Sequence, residues 1–367
     1  MKHFDHIFIV TNDLTNDRRV KRIINELLDH NRSILLIGRK LSTSIPLSDT
    51  PYVQHRISCT WNRGVKFYAE FVIRTIVLIL RNYRAKHITC NDIDTLLIGS
   101  LLKKIRKFTF YFDSHEWFEE VPELQGRLIK KKIWELITRI GLKYTDLRYT
   151  VNAEIADQLL RKYYFDFEVV RNIEPYSSLV DWEIKNPISP LQIVYLGVLN
   201  KDRGLEEMIL SMSHIRNAEL HIIGDGDLHP KLKRLVAQSP NKEKIILHGS
   251  LLPDEFEPIL ARSHVGINLL SGQSKSYYYS SANKVYDYLN HGLSVLTMDY
   301  PIYRKMSNNS EMIALIKTLN TTNLSTAIEN IRAHYKLDEL QKQHLRTIQK
   351  YNWEGEKLIL SKLYNLN

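Results

Sequence analysis

The sequence contains very little cysteine. Cys59 and Cys90 are the only two in 367 residues, and they show neither metal-binding nor redox spacing. A fold held together by disulfides is therefore not expected, and a reducing compartment is. The chain also has no zinc-finger, helix-turn-helix or aromatic RNA-binding motif, so nucleic acid is not an expected partner.

A long uninterrupted apolar run is also missing. The most apolar segment, FYAEFVIRTIVLILRNYR at 67–84, contains Glu70 and Arg74 and is too short to cross a bilayer. It predicts either a buried helix or an amphipathic helix whose flanking Lys and Arg side chains meet lipid phosphates. The first apolar run, HIFIV, is too short for a signal peptide, so we expect a cytoplasmic protein.

Basic residues are concentrated in the first half of the chain. The net charge is +10 overall, with +8 in residues 1–175 and +2 in the remainder. The clusters KKIRK at 103–107 and RLIKKK at 127–132 supply much of it. Such clusters are often solvated helix faces, but they also suit an anionic lipid surface or a diphosphate-linked acceptor, and membrane contact is therefore a hypothesis.

Apolar strand-like runs alternate with helical patterns along the chain. This alternation predicts parallel sheets covered by helices, and the length favours two domains. The pattern breaks over 169–190, which holds three prolines, and then restarts. We therefore expect two Rossmann-like α/β domains that face each other across a cleft, the first over 1–172 and the second from residue 173.

One stretch, SSANKVYDYLNHGLSVLTM at 280–298, predicts a helix followed by a buried strand. Small polar residues at its start, Ser281 and Asn283 among them, are suited to cap a helix, and Gly292 is suited to end it. Lys284 and Asp287 lie three residues apart, on one face. A helix start with a cation favours phosphate, and a carboxylate one turn later can bind a sugar diol. The simpler alternative is a surface ion pair.

Three other stretches place polar residues directly after predicted strands. TNDLTNDRRVKRI contains Asn12 and Arg19, FYFDSHEWFEE contains His115 and Glu116, and IVYLGVLNKDRGLEEMI contains Arg203. Ligands of parallel α/β sheets bind beyond the carboxyl ends of the strands. These positions are therefore candidates for a site.

In their order and spacing, these four stretches resemble glycosyltransferase family four, the retaining enzymes of the GT-B architecture. The resemblance covers nearly the whole chain. The terminal YNWEGEKLILSKLYNL resembles the last helix of that family, which returns to the first domain. The resemblance therefore implies a donor domain over 173–345 and a returning segment over 346–367.

The resemblance also implies roles for individual residues. Asp287 would hold the ribose hydroxyls, Arg203 and Lys284 would contact the diphosphate, and His115 would touch the transferred sugar. No metal and no cofactor is implied. The expected site residues are His115, Arg203 and Lys284 as catalytic residues, Asp287, Asn283, Ser281, Tyr279 and Gly197 at the donor, and Arg19, Asn12 and Glu116 on the acceptor side.

The sequence departs from the family pattern at several positions. Val198 stands where an arginine is common, and Tyr279 stands where many members carry a glutamate. The loop TNDLTND also lacks the usual glycines. Acceptor binding is therefore the least transferable part of the resemblance.

The implied activity is transfer of one sugar, with retention of configuration, from a nucleotide-diphosphate sugar to a glycan or lipid-linked glycan. The implied setting is the synthesis of cell-surface polysaccharide at the inner face of the membrane. In this architecture the departing diphosphate can be stabilised by cations and helix-start amides without a metal.

Three alternatives remain open. Asp92 and Asp94 imitate the metal-binding Asp-x-Asp of GT-A glycosyltransferases, although Asp92 is also suited to cap a helix. Gly224 and Gly226 provide two of the three glycines of a nicotinamide-binding loop, but also suit a tight turn. A non-catalytic protein that binds nucleotide sugars is the third.

Overall fold

The computed structural model describes residues 1–15, 17–175, 180, 182–183, 185, 189–271 and 273–366. The chain divides into two compact units. The first comprises Met1–Asn172 together with Glu356–Asn367, and the second comprises Ile173–Gly355. Part of the segment 169–190, where the sequence pattern breaks, lies outside the described residues.

The first unit contains a parallel sheet of seven strands in the order β3-β2-β1-β4-β5-β6-β7. Buried apolar side chains fill its central strands, and helices connect successive strands except β2 and β3, which a loop joins. The elements are β1 (Lys2–Ile9), α1 (Arg18–Asp29), β2 (Ile34–Lys40), β3 (Val53–Ser58), α2 (Gly64–Asn82), β4 (Tyr83–Asn91), α3 (Ile93–Lys103), β5 (Thr109–Ser114), α4 (Leu128–Gly141), β6 (Leu147–Thr150), α5 (Ala153–Tyr163) and β7 (Glu168–Val169).

The second unit contains a parallel sheet of six strands in the order β10-β9-β8-β11-β12-β13. Its elements are β8 (Leu191–Leu196), α6 (Leu205–Ser211), β9 (Ala218–Ile223), α7 (His229–Gln238), β10 (Ile245–Gly249), α8 (Pro253–Arg262), β11 (Val265–Asn268), α9 (Lys275–Tyr279), α10 (Asn283–Asn290), β12 (Ser294–Met298), α11 (Pro301–Ser307), β13 (Ile313–Ile316), α12 (Thr321–Ala333) and α13 (Leu337–Lys350). The last helix, α14, covers Trp353–Tyr364.

The strand order reverses direction in each sheet, between β1 and β4 in the first and between β8 and β11 in the second. Such a reversal opens a crevice at the carboxyl ends of the two strands, because their connections leave in opposite directions. The predicted α/β class is confirmed, and each unit has one natural ligand position.

The end of the chain packs into the core of the first unit. The Tyr364 ring stacks on Tyr111 with centroids 4.5 Å apart, and its hydroxyl lies 2.7 Å from that of Tyr149. Glu356 is buried and accepts hydrogen bonds from the backbone and the guanidinium of Arg171. The segment that joins the first unit thus begins within α14, ten residues after the start that the sequence suggests.

No helix in the described part of the chain combines the length and the apolar character needed to cross a membrane. The segment 67–84 forms most of α2 and then enters β4.

Candidate functional site

Helix α10 brings the predicted donor residues to the carboxyl end of the second sheet. Its orientation is fixed by Tyr288, whose hydroxyl accepts a hydrogen bond of 2.8 Å from the Leu196 N–H at the end of β8. The Tyr288 ring lies against Gly266 of β11, where a Cβ atom would approach the ring to 2.3 Å. Gly266 is therefore required for the helix to lie this close to the sheet.

The start of α10 is held differently from the sequence prediction. The N-cap residue is Ala282, whose side chain makes no cap bond. The Ala282 N–H instead donates a 3.0 Å hydrogen bond to the hydroxyl of Tyr303, in α11. The N-cap position is therefore Ala282 and not one of the predicted polar residues, and a distant tyrosine holds its backbone N–H. Ser281 is buried next to this start and Asn283 is exposed.

Lys284 is a buried cation in the first turn of α10. Its side chain is 7% exposed, and its Nζ has no hydrogen-bond partner among the residues that the structure describes. Nζ lies 3.6 Å from the centroid of the Tyr195 ring. Burial lowers the pKa of Lys284 well below its ordinary value, nearby Arg203 lowers it further, and Asp287 opposes the shift.

The space in front of Lys284 is kept open by Gly197, directly after β8. Gly197 has φ +138°, and a Cβ atom there would lie 3.1 Å from Lys284 Nζ. Val198, the departure from the family pattern, is exposed. Glycine at 197 therefore leaves room for the buried ammonium at the end of the strand.

Arg203 provides a second cation near Lys284. Its guanidinium carbon lies 4.8 Å from the centroid of the Tyr277 ring, and its buried Nε has no hydrogen-bond partner within the described ranges. Tyr279 is half-buried, with its ring perpendicular to that of Tyr278. Lys284 and Arg203 are therefore two basic groups whose charges interact and whose Nζ and Nε atoms have no hydrogen-bond partner in the described structure. Such an environment favours an anion.

Asp287 lies one turn after Lys284 and is 6% exposed. Its backbone carbonyl accepts hydrogen bonds from the backbone and the ring of His291 at the helix end. The sequence prediction therefore correctly places Lys284 and Asp287 in one short helix. Both are buried, so they do not form the exposed surface pair that was the simpler alternative.

The two glycines of the possible nicotinamide loop are explained by close packing. A Cβ atom at Gly224 would lie 1.9 Å from the carbonyl oxygen of Gly197, and one at Gly226 would lie 2.7 Å from that of Leu199. Asp225 accepts hydrogen bonds from Gly226 N–H and from His229. The turn therefore packs against the loop after β8, as a tight turn does.

The first unit contains a second cluster at the carboxyl end of its sheet, centred on Asp113 in β5. Arg19 binds this carboxylate through Nε at 2.9 Å and Nη2 at 2.7 Å, and donates from Nη1 to the Val170 carbonyl. Asp113 is fully buried, yet Arg19 and His115 lower its pKa to about 2 against the effect of burial. Arg19 is thus occupied by internal partners.

His115 bridges two carboxylates in this cluster. Nε2 lies 3.0 Å from Asp113 Oδ2, and Nδ1 lies 3.2 Å from Asp92 Oδ2. Burial lowers the pKa of His115, but the two carboxylates raise it well above the ordinary value. The ring is therefore a cation that donates from both nitrogens.

Asp92 has a different role from the predicted helix cap. It occupies the N-cap position of α3 but makes no side-chain cap bond. Its carboxylate instead accepts a 2.8 Å hydrogen bond from the His115 backbone. Its φ is +63°, an unusual value for aspartate that this contact helps to explain.

Two carboxyl groups near His115 have raised pKa values. Burial and the negative charge of Asp92 raise the pKa of Asp94 to about 7, and the Thr11 hydroxyl donates to Asp94. Burial, Asp92 and Glu123 raise the pKa of Glu116 to about 7. Asn12 instead stabilises its loop, binding Asp17 at 2.7 Å and accepting from Leu14 N–H.

The acidic groups do not form a metal centre in the part of the chain that is described. No group of three or more His, Cys, Asp or Glu side chains there could hold an ion. Asp92 and Asp94, the possible Asp-x-Asp ligands, contact His115 and Thr11 respectively.

Comparison with known proteins agrees with the fold and gives a family match within the second unit. Residues 190–334 match the family model for Glycosyl transferases group 1. These residues cover the sheet of the second unit and include Gly197, Arg203, Lys284 and Asp287. No curated protein matches the chain significantly.

Several solved structures match over nearly the full length. Sucrose-phosphate synthase from Thermosynechococcus elongatus is 15% identical with a TM-score of 0.79, and the match covers 98% of each chain. WaaG, a glycosyltransferase involved in lipopolysaccharide biosynthesis, is 10% identical with a TM-score of 0.71, over 98% of this chain and 99% of WaaG. Anabaena HepE in complex with UDP-glucose is 11% identical with a TM-score of 0.67, over 99% and 96%. The chain therefore has a GT-B-like fold of two α/β domains.

Proposed function

We propose that this protein is a retaining glycosyltransferase. It takes one sugar from a nucleotide-diphosphate sugar and adds it to a glycan or lipid-linked glycan. The observation that carries the proposal is the buried Lys284 ammonium, which lacks a hydrogen-bond partner in the described structure and lies at a helix start beside Arg203. A buried cation without a partner is costly, and a diphosphate would supply the missing charge.

The predicted donor residues of the second unit each have a defined task in this proposal. Lys284 and Arg203 bind the diphosphate and stabilise the charge that develops as it departs. The first-turn amides of α10 add to this attraction through the helix dipole. Asp287, one turn further along, accepts hydrogen bonds from the ribose hydroxyls. The group 1 family match over 190–334 supports this assignment.

The first unit would contribute charge and acceptor contacts. His115, held as a cation by Asp92 and Asp113, would place its positive charge beside the transferred sugar. Arg19 would act as a positioning residue, because it holds Asp113. Glu116 would accept a hydrogen bond from a hydroxyl group of the acceptor. The leaving phosphate oxygen would take the proton of the acceptor hydroxyl that attacks the sugar. Tyr279 would contact the donor sugar.

The proposed transfer needs no metal and no cofactor, since cations and amides stabilise the leaving group. We further propose a cytoplasmic enzyme of cell-surface polysaccharide synthesis that meets the inner membrane face. The positive charge of the first half supports this setting. WaaG is a similar structure whose role lies in lipopolysaccharide biosynthesis.

A thermal-shift panel tests the donor assignment. It contains UDP, GDP, ADP, CMP and NAD, each with EDTA and with a divalent cation. A ligand at one hundred times its Kd adds about 2.7 kcal/mol of stability, which should raise Tm by several degrees. We expect one nucleoside diphosphate to stabilise the protein in EDTA. A response to NAD alone, or to a diphosphate only with metal, contradicts the proposal.

Variants then connect binding to catalysis. Lys284→Met should lower kcat by roughly 100- to 1000-fold, as loss of one preorganised charge partner does. Asp287→Asn should weaken diphosphate binding. The exposed Lys233→Met and Asp254→Asn serve as matched controls. Product analysis by NMR should show the anomeric configuration of the donor, and binding without any transfer would indicate a non-catalytic protein.

A further inference from the structure

The first unit carries an apolar trough between α2 and α4. Two adjoining cavities of about 500 Å³ and 290 Å³ form it. Both are lined by Val65, Tyr68, Trp134 and Ile137. The Tyr68 and Trp134 rings meet edge to face at 5.1 Å. The trough is large enough for a chain of several methylenes and offers mainly carbon atoms to it.

Helix α4 is unusual because its apolar side faces outwards. Of its fourteen residues, only Thr138 and Gly141 are buried. Ile129 is 78% exposed and Ile133 is 49% exposed. With Leu136 and Ile140, also exposed, they form a stripe at helical spacing. The facing helix α2 likewise exposes Val65 and Ile73. An apolar surface of this kind marks a binding site.

The polar groups in and around the trough are distributed unevenly. Arg127 and Lys130 line the larger cavity, together with Glu116 and Glu123, and Asp94 lines the smaller one. Helix α4 also carries Lys131, which pairs with Glu120 at 2.6 Å, and an exposed Lys132. Cations beside an apolar channel are complementary to a molecule that joins a phosphate to an alkyl chain.

We propose that the trough binds the alkyl chain of a lipid-phosphate acceptor. The phosphate pairs with Arg127 and Lys130, and a hydroxyl of the attached sugar donates to Glu116. This inference rests on the proposed function, because the lipid is an acceptor only if the protein transfers a sugar. Binding of the alkyl chain can nevertheless be measured without the donor.

The charge of the surface disfavours a second copy of this protein as the occupant. A twofold dimer through α4 would place the basic face of one copy against the same face of the other, and like charges in an interface repel each other. A single amphiphile places opposite charge against Lys130 while its chain fills the trough.

The test uses dodecyl phosphate below its micelle concentration, with octyl phosphate and dodecyl maltoside for comparison. We expect monomeric dodecyl phosphate to bind, with about fourfold gain in affinity for each methylene that enters the trough. A chain carrying bromine should quench the Trp134 fluorescence, and Trp134→Phe should remove most of this quenching.

Exposed residues provide variants that leave the fold intact. Ile133→Ser should weaken binding of dodecyl phosphate roughly tenfold. Ile105→Ser is the matched control, since Ile105 is 63% exposed in the same unit and does not line the trough. Lys130→Gln should weaken binding of dodecyl phosphate but not of dodecyl maltoside. Lys132→Gln should leave the binding of both unchanged.

Four results would overturn the inference. They are absence of binding by the monomeric probe, equal binding by Ile133→Ser and Ile105→Ser, binding only to anionic vesicles, and a dimer that Ile133→Ser dissociates. Nucleotide binding is measured on the same variants. If the unaltered protein does not bind a nucleotide, the donor proposal is refuted. If it binds a nucleotide but no alkyl chain, only the proposal for the trough is refuted.

Discussion

The His115 ring lies between the carboxylates of Asp113 and Asp92, at 3.0 Å and 3.2 Å. One imidazolium therefore joins the end of β5 to the start of α3. Arg19 binds the other side of Asp113. The cluster alternates charge, and removing any member leaves a buried charge with fewer partners.

Replacing His115 should give a stability loss that depends on pH. The pKa of folded His115 is raised, so its contribution is full below the unfolded value near 6.5 and disappears as pH rises through the folded value. We expect His115→Gln to lose about 2 kcal/mol at pH 6 and less as the pH rises. Urea unfolding measures this, with the exposed His214→Gln as a control. A loss that grows with pH would contradict the ion-bridge interpretation.

Binding of a nucleoside diphosphate should be coupled to proton uptake. The pKa of Lys284 is lowered in the free protein by burial and by Arg203. A bound diphosphate would raise it, so Lys284 should take up a proton wherever the pH lies between the two values. Calorimetry in buffers of different ionisation enthalpy measures the uptake. Lys284→Met should abolish it, while Lys233→Met should keep it. Heats that do not depend on the buffer at any pH at which the protein is folded would refute the coupling.

Asp94→Asn should stabilise the protein at high pH. The pKa of folded Asp94 is about 7, so its stability contribution is full below pH 4 and is lost as pH rises to about 7. The neutral amide avoids this loss. We expect the difference in the free energy of unfolding between the variant and the unaltered protein to grow by on the order of 2 kcal/mol from pH 5 to pH 8. The exposed Asp157→Asn should show no such change. A constant difference would mean that Asp94 is ionised throughout.

Gly224→Ala should strongly destabilise the second unit. Its φ is +138°, and the added Cβ would lie 1.9 Å from the Gly197 carbonyl oxygen. We expect a loss of at least about 3 kcal/mol in the free energy of unfolding. Gly249→Ala separates the two causes, because φ there is +73° with nothing within 4 Å. It should cost only about 1 kcal/mol. Equal losses would show that backbone strain alone matters.

The sequence predicted the architecture best where local and tertiary preferences agree. The alternating runs of the second half predicted β8, β9, β10, β11 and β12 because buried parallel strands are continuously apolar. The spacing of Lys284 and Asp287 placed both in one helix, α10. By contrast, β3 was not predicted: it is six residues long at the sheet edge, and Val53 is exposed, so it lacks the apolar signal.

The contacts that hold the sites could not be predicted from local sequence. Tyr303 lies 21 residues from Ala282, yet it supplies the acceptor at the start of α10. Asp92 lies 23 residues before His115 and binds it instead of capping α3. The trough was missed because the apolar stripe of α4 is the normal signature of a buried helix face. Only its exposure in the fold reveals a surface.

The packing of Tyr364 against Tyr111 and Tyr149 also concerns synthesis on the ribosome. Domains usually complete folding in the order in which they are made. Here the core of the first unit includes side chains more than 180 residues downstream of Asn172. The second unit can therefore close while the first, although made earlier, still exposes a gap for α14. A nascent chain stalled before residue 356 would consequently present an open apolar seam to chaperones.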